Sequence, residues 1–364
     1  MRCNNVLLCL VNNIELNKLQ HLFEICKKKK FAFILCRFPT SQKFHLFIQH
    51  KEDEANTDFN FVIQPFDFNE AQIVISPTIA TENLKNVDKY ITFLEKSDPI
   101  SALSNEHSEK YFSNEIDYNE QIELIKKEIE AKTVNKVVLS RAVRNLDPLQ
   151  GKEIDVFNKL QSKNGSAFAY LLYTPSTGTW LGASPELLAT YGDGQIKTVS
   201  LAGTLPAGDE DWTEKEYEEQ KITTKYIKRV INSMSTRTDG PYEVNAGPIK
   251  HLKTDIIASI TEEELPDLLK RLSPTAALCG NPKKAAFNIL GKIEKHKRSL
   301  YGGYLGVKSK NTLEYYVNIR CMNIGEIKNT IFVGGGITAD SIPEKEWAET
   351  ESKSQIMLAA INGK

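Results

Sequence analysis

The sequence predicts an α+β fold, because strand segments that pair as hairpins are interspersed irregularly with helices. Two stretches carry this prediction. Residues 187–204 contain two strand patterns around a Gly-Asp-Gly turn, which favours an antiparallel hairpin. A long helix over residues 213–234 begins with a capping box, in which Thr213 is the N-cap and Glu216 follows three residues later. The length of 364 residues alone predicts roughly two domains.

The other elements follow from apolar periodicity and turn composition. The first 105 residues carry no catalytic motif, and loop-like composition over residues 97–114 marks a boundary. The sequence predicts helices over residues 16–26, 118–129 and 156–160, and strands over residues 6–11, 31–38, 45–50, 59–65, 71–76, 134–143, 167–174, 179–182, 304–307, 312–322 and 330–333.

Composition excludes several classes of partner. Lys and Arg total 46 and Asp and Glu total 47, so no basic excess favours nucleic acid or an anionic membrane surface. No segment approaches the roughly 18 apolar residues of a membrane span, and residues 6–11 lack the pattern of a signal peptide. The six cysteines form no Cys-x-x-Cys pair, which indicates reduced thiols in a cytoplasmic protein.

The C-terminal stretch is the first candidate site. An apolar strand over residues 330–333 is followed by three glycines, and a helix is expected to begin near Pro343. Glu346 and Glu349 would share one face of that helix, with Lys353 one turn further on. Backbone donors, carboxylates and an ammonium group would suit a carboxylated substrate bridged to a hard cation. An ordinary Gly-rich turn with acidic residues that suit the helix dipole is the alternative.

Glu216 and Glu219 form a second Glu-x-x-Glu pair. If the two pairs meet, their oxygen atoms could hold Mg²⁺. The alternative is that Glu216 only caps the helix and Glu219 is solvated.

Three further positions combine charge with a strand or turn. Lys136 is expected to share a strand face with Ser140, either as a surface residue at a strand edge or as a base in a pocket. Glu186 follows Ser-Pro, a combination that also suits an ordinary helix start. Arg320 interrupts an apolar strand, so it needs an anionic partner, which could be a substrate carboxylate or a structural carboxylate.

Eight motifs in a fixed order resemble those of the chorismate-utilising enzyme family, whose members include isochorismate synthase, salicylate synthase and the large chains of anthranilate and aminodeoxychorismate synthases. The resemblance covers about residues 115–360 and is specific because of the order. The matching motifs are Lys136-Val-Val-Leu-Ser-Arg141, Gly182-Ala-Ser-Pro-Glu186, Leu201-Ala-Gly-Thr204, His251-Leu252, Pro274-Thr-Ala-Ala-Leu-Cys-Gly280, Tyr301-Gly-Gly303, Ile319-Arg320 and the stretch from Gly334 to Lys353.

The resemblance implies one large α+β domain with a two-layer, mostly antiparallel sheet core, outer helices and an active site in a cleft. Residues 1–105 would be the variable N-terminal part of that fold, and residues 106–364 the chorismate-binding catalytic region. The expectation of two domains from length gives way to this.

Within the family the sequence is most similar to isochorismate synthases. These isomerases add water at C2 of chorismate and expel the C4 hydroxyl. The resemblance implies that Lys136 is the base for the water and Glu186 the acid for the departing hydroxide. Glu186 must then have a raised pKa and Lys136 a lowered one.

The resemblance also assigns the ligands. Glu219 and Glu349 would hold Mg²⁺, with Glu216 and Glu346 nearby or bound through water. The carboxylates of chorismate would meet the remaining binding residues, which are Gly203, Thr204, His251, Arg320, Gly334, Gly336 and Lys353.

Ala277 bears on the subtype, since the ammonia-using relatives usually carry Thr there and isochorismate synthases carry Ala. One departure is Ser273, where relatives usually have His. Salicylate synthase and an amino-transferring synthase chain remain alternative functions, and the latter needs a glutaminase partner that we do not expect. A catalytically dead relative acting as a binding subunit is a third alternative. The residues do not choose between a menaquinone and a siderophore pathway.

Overall fold

The computed structural model describes residues 13–51, 59–101, 111–206, 208, 211–245 and 249–362. The α-helices are α1 (Asn13–Lys29), α2 (Val87–Lys96), α3 (Glu115–Glu130), α4 (Glu153–Lys163), α5 (Glu214–Ile231), α6 (Leu265–Leu272), α7 (Lys283–Ile293) and α8 (Pro343–Asn362). The strands are β1 (Ala32–Arg37), β2 (His45–Gln49), β3 (Phe59–Gln64), β4 (Ile73–Ile75), β5 (Ile79–Thr81), β6 (Lys136–Asn145), β7 (Phe168–Thr174), β8 (Gly178–Ser184), β9 (Leu187–Gly192), β10 (Gln195–Pro206), β11 (Arg237–Asn245), β12 (Ile249–Ser259), β13 (Gly280–Asn281), β14 (Tyr304–Ser309), β15 (Leu313–Val317), β16 (Cys321–Ile324) and β17 (Asn329–Ile337).

The strands form two sheets, and every pairing between described strands is antiparallel. One sheet has nine strands in the order β13-β6-β17-β16-β8-β7-β1-β2-β5. The other has eight in the order β11-β12-β10-β9-β15-β14-β3-β4. Two sheets with helices outside them confirm the predicted α+β fold with a two-layer antiparallel core.

The N-terminal strands belong to both sheets. Strand β1 pairs with β7 of the later sequence, and β3 pairs with β14. Residues on both sides of the predicted boundary therefore share one core. The division between residues 1–105 and 106–364 stays a prediction about function.

Aromatic side chains fill the space between the sheets. Phe332 lies at the centre of a stack, with ring centroids 5.4 Å from Trp180 and 5.6 Å from Tyr301. Such parallel rings add attraction beyond the area that they bury. The outer face of the nine-stranded sheet packs on helices α1, α2, α4 and α8, whereas α5 and α6 cover the other sheet.

Most predicted elements are present, and the helix at residue 214 does begin with the Thr213–Glu216 capping box. The single strand predicted over residues 312–322 is wrong, because the chain changes sheets between β15 and β16. The sequence analysis missed β5 and α2, and the strand predicted over residues 6–11 lies outside the described residues. Among the described helices, none has the length and apolar character needed to cross a membrane.

We expect Phe332→Ala to lower the free energy of unfolding by about 3–5 kcal/mol, because it removes the centre of a buried stack and leaves a cavity. Chemical denaturation monitored by circular dichroism measures this change. Ile327→Ala is the control: Ile327 is 82% exposed, and its substitution should cost less than about 0.5 kcal/mol. A similar loss for both variants would contradict this description of the core.

Candidate active site

The candidate site is built on the pairing of β6 with β17. Nine residue pairs run in register from Asn329 opposite Asn145 to Ile337 opposite Val137. The three glycines predicted to form a turn after a strand therefore lie within β17. Because side chains alternate along a strand, Gly334 and Gly336 face one side and Gly335 faces the other.

The missing side chains of these glycines make room for catalytic groups. A Cβ atom on Gly336 would lie 2.7 Å from Cε of Lys136, so the lysine side chain lies across this glycine. A Cβ atom on Gly334 would lie 3.0 Å from the hydroxyl of Tyr301. Lys136 is partly buried in a strand flanked by β13 and β17, which makes the surface-edge alternative wrong.

Glu186 lies between two strands of different sheets. Ser184 ends β8 and Leu187 begins β9, so the alternative of a helix start at Ser-Pro-Glu is wrong. Burial raises the pKa of Glu186 to about 7, and the positive charge of Arg320 opposes this rise. A carboxyl group with this pKa can hold a proton near neutral pH and release it on demand.

Arg320 occupies the link in which the chain changes sheets, rather than the interior of an apolar strand. Its backbone is left-handed, with φ at 49°, and its carbonyl accepts a hydrogen bond of 3.1 Å from the amide of Ala183. Burial lowers the pKa of Arg320, and the nearby Glu186 opposes that shift. The link therefore holds a cation close to the Glu186 carboxyl.

Tyr301 connects the two ends of the site. Burial raises the pKa of Tyr301, and the charge of Glu186 contributes to the rise, so the phenol lies near that carboxyl. Tyr301 adjoins Gly334, and Lys136 adjoins Gly336 on the same face of β17. Two residues along a strand span about 6.8 Å. Lys136 and Tyr301 therefore lie along the same face of β17, and Tyr301 in turn lies near the Glu186 carboxyl.

The antiparallel pair of β10 and β12 contributes further polar groups. Strand β10 has a bulge between Ala202 and Thr204, and His251 lies opposite Thr204 in the ladder. Burial lowers the pKa of His251, whereas its hydrogen bond to the backbone of Gly203 raises it, and the cations Arg320 and Lys353 lower it. Arg320 and Lys353, which are distant from each other in sequence, therefore both act on His251 of β12.

Helix α8 brings a second cation and two carboxylates to the site. Lys353 Nζ donates a 2.9 Å hydrogen bond to the carbonyl of Gly334 and lies 2.6 Å from Glu349 Oε1. A Cβ atom on Gly335, on the opposite face of β17, would lie 3.2 Å from Glu346 Oε2, and the charge of Lys136 also acts on Glu346. Burial raises the pKa of Glu346, although a hydrogen bond from Ser341 lowers it, and the charge of Glu349 raises it further.

The carboxylates have the donor chemistry of a Mg²⁺ site, since all are hard oxygen ligands. A cation between Glu346 and Glu349 would relieve the unfavourable charge that raises the pKa of Glu346. The other pair differs: Glu216 is buried and accepts from the amide of Thr213 at 3.0 Å, while Glu219 is exposed. Within the described ranges, no three acidic, imidazole or thiol groups are gathered in a metal-binding arrangement. The pair on α8 has the donor chemistry for a metal, and the meeting of the two pairs stays a prediction.

Ala277 lies on an exposed position of the loop between α6 and β13, four residues after the buried Ser273. Sequence reasoning missed the buried group behind this loop. Glu294 and Arg298 form an ion pair there, and Ser140 donates to Glu294. The spacing Glu-x-x-x-Arg directly before the Tyr-Gly-Gly motif was the available signal.

Comparison with known proteins places this geometry in a family. A family model described as chorismate binding enzyme matches residues 45–362. The chain is 30% identical over 244 residues to isochorismate synthase EntC of Escherichia coli (strain K12), a match that covers 62% of each protein. It is 27% identical over 246 residues to anthranilate synthase component 1 of Aquifex aeolicus (strain VF5), covering 63% of this chain and 49% of the relative. The matched stretch thus spans about half to two thirds of the length of these relatives.

The fold agrees with the sequence comparison. The structure of MenF, the menaquinone-specific isochorismate synthase from Escherichia coli, superimposes with a TM-score of 0.78 at 18% identity. The superposition covers 96% of this chain and 91% of that one. Because the family model spans most of the sequence, from β2 to the end of α8, the chain belongs to the chorismate binding enzyme family.

Proposed function

We propose that this protein is an isochorismate synthase, an isomerase that converts chorismate to isochorismate. The observation that carries the proposal is the Glu186 carboxyl, whose pKa burial raises to about 7 beside Arg320. Hydroxide is a poor leaving group unless it receives a proton. A carboxyl group that keeps its proton near neutral pH meets that need.

The reaction needs one acid and one base. Lys136 takes a proton from water, whose oxygen forms the new bond to C2. The ring double bonds shift, the C4–O bond breaks, and the proton of Glu186 converts the departing hydroxide to water. Atoms balance, because one water is added and one is lost. The proton gained by Lys136 and that lost by Glu186 are then restored through solvent.

The substrate carries two carboxylates, and the site offers cations and polar backbone to both. Arg320, Lys353 and the partly buried His251 act on one region of the site. Arginine suits a carboxylate because its planar fork donates two parallel hydrogen bonds. We propose that the enolpyruvyl carboxylate meets Arg320 and the backbone of Gly334 and Gly336. The other carboxylate then lies near Gly203 and Thr204.

Enzymes of this family generally depend on Mg²⁺. We propose that Glu219 and Glu349 hold the ion, with Glu216 and Glu346 close by or linked through water. Bound Mg²⁺ would neutralise the ring carboxylate. Glu219 and Glu349 are both exposed, so their carboxylates are accessible to an ion from solvent.

Anthranilate synthase component 1 among the relatives makes an amino-transferring reaction the main competitor. The alanine at position 277, in an exposed loop, favours the isomerase, because the ammonia-using relatives usually carry Thr at this position and isochorismate synthases carry Ala.

The direct test is to incubate the purified protein with chorismate and Mg²⁺ and to separate the products by liquid chromatography. We expect isochorismate with neither salicylate nor pyruvate, no anthranilate when ammonium is added, and loss of turnover in excess chelator. Salicylate, pyruvate or anthranilate as the main product would identify one of the competing functions instead.

The titration of Glu186 should depend on Arg320. In the protein without substrate, ¹³C NMR of the Glu186 carboxyl should show a pKa of about 7. Arg320→Met should move it upward, because the cation that opposes protonation is gone. Lys353→Met is the matched control and should leave it in place. An unchanged or lower pKa in Arg320→Met would show that the two groups do not interact.

Removing either proton-transfer group should affect turnover more than binding. We expect Lys136→Ala and Glu186→Gln each to lower kcat by about 10²–10⁴-fold, the usual contribution of general acid–base catalysis. Calorimetry should show that chorismate still binds. Lys127→Ala, on the exposed face of α3, is the control and should keep wild-type turnover. Near-normal kcat in either test variant would remove that residue from its role.

The residue at position 277 should affect which product is formed from chorismate. We propose, from the family resemblance, that residue 277 lies beside the position of attack on the ring, so the β-branched side chain of Ala277→Thr would have few rotamers with which to avoid the water. A displacement of about 1 Å can cost about 10²-fold in rate. Isochorismate formation should therefore fall, and pyruvate and salicylate should become detectable by product analysis. Ala276→Thr serves as the control, and equal product profiles in both variants would mean that residue 277 does not set specificity.

A further inference from the structure

A buried ion pair lies directly behind the strand that carries Lys136. The Arg298 side chain is 2% exposed and that of Glu294 is 6% exposed, and Arg298 Nε donates to Glu294 Oε2 at 2.8 Å. Although burial alone would raise it, the pKa of Glu294 is held below its ordinary value by Arg298. Both groups are therefore charged inside the protein.

Such a pair is a poor device for stability alone, because removing two charges from water costs about as much as their attraction returns. Its hydrogen bonds indicate a different role. The guanidinium of Arg298 donates at 2.6 Å to the carbonyl of Val138, two residues from Lys136. It also donates at 2.7 Å to the carbonyl of Leu278, next to Ala277.

Glu294 holds the same strand from a second point. One oxygen of Glu294 accepts from the backbone amide of Ser140 at 2.8 Å and from its hydroxyl at 2.7 Å. The Ser140 hydroxyl also lies 3.0 Å from Nε2 of His296. Lys136, Val138 and Ser140 are every second residue of β6 and therefore share one face of the strand. These hydrogen bonds fix the segment that carries the lysine.

The planar group of Arg298 lies close to two aromatic rings. Its guanidinium carbon lies 4.1 Å from the ring centroid of Phe66 and 5.8 Å from that of Tyr301. A guanidinium with several donors directed at fixed carbonyls and stacked on an aromatic ring has little freedom to move.

We infer that the Glu294–Arg298 pair is a positioning device, which sets Lys136 and the Ala277 loop at a fixed separation for the reaction. Neither residue needs to touch the substrate. This inference rests on the proposed function only for the identity of the reaction. The tethering of β6 to the Ala277 loop stands on the contacts alone.

The test replaces the pair with apolar side chains of similar size, Glu294→Leu with Arg298→Met. Apolar replacement of a buried ion pair commonly preserves stability, whereas removing one partner does not. We expect Tm near the wild-type value, a KM for chorismate within about threefold, and kcat lower by about 10²-fold, the cost of a misplacement of about 1 Å. Arg298→Lys keeps the charge but loses the planar fork. Its kcat should lie between that of the wild type and that of the double variant.

The control is a half-buried ion pair remote from β6, in which the Lys27 side chain is 32% exposed. Lys27 Nζ lies 3.3 Å from Glu153 Oε1, and the Glu153 side chain is 1% exposed between α1 and α4. Lys27→Met with Glu153→Leu should keep the wild-type kcat. Equal losses in both double variants would mean that buried charge matters only for the fold.

Amide hydrogen exchange provides a readout that does not depend on the reaction. In Glu294→Leu with Arg298→Met, exchange should become faster in peptides covering residues 136–140 and 276–280, and stay unchanged in α1. If the wild type consumes chorismate but makes another product, the proposed function fails and the inference is judged by chorismate consumption and exchange. If the wild type is inactive, exchange alone decides.

The inference is overturned if the apolar double variant, or Arg298→Lys where the double variant does not fold, keeps kcat within about twofold of wild type. Wild-type exchange in both segments would overturn it equally.

Discussion

The register between β6 and β17 is the constraint on which the site depends. Gly336 lies opposite Val138 and Gly334 opposite Ser140. Shifting one strand by a single residue would move every side chain to the other face. Lys136 would then lose the open space over Gly336, and the bulk of β17 would face the site. The aromatic stack around Phe332, two residues before Gly334, holds this register, because it locks the same strand face into the core between the sheets.

The site combines groups that are costly to bury. Burial raises the pKa of Glu186 to about 7, so a substantial fraction of the carboxyl is protonated near neutral pH and available as an acid. Glu294 responds differently, because Arg298 and the Ser140 donors keep it ionised. Two glutamates thus differ in protonation through their surroundings. One is suited to transferring a proton and the other to holding a strand in place.

Sequence reasoning predicted the local features well. The capping box at Thr213, the hairpin of β9 and β10 and the helix at Pro343 are encoded within a few residues, so periodicity and turn composition predict them. The crossing of the chain at Arg320 could not be predicted in this way, since a mostly apolar segment has the same pattern whether it stays in one sheet or changes sheets.

The site was predicted unevenly for the same reason. Single residues such as Lys136, Glu186 and Arg320 stood out because charge within apolar sequence is unusual. The contacts among them depend on long-range pairing, as do the tether of Glu294 to Ser140 and the interaction of Tyr301 with Glu186. The meeting of the two Glu-x-x-Glu pairs and the roles of the predicted site residues stay predictions.

The proposed reaction directs water to one carbon of a ring while it expels hydroxide from another. The most direct measurement is the mass of the product formed from chorismate and Mg²⁺ in H₂¹⁸O. Isochorismate heavier by about two mass units per molecule, with the label at the C2 hydroxyl, is the predicted result. Isochorismate without the label, or chorismate consumed without isochorismate, would contradict the account.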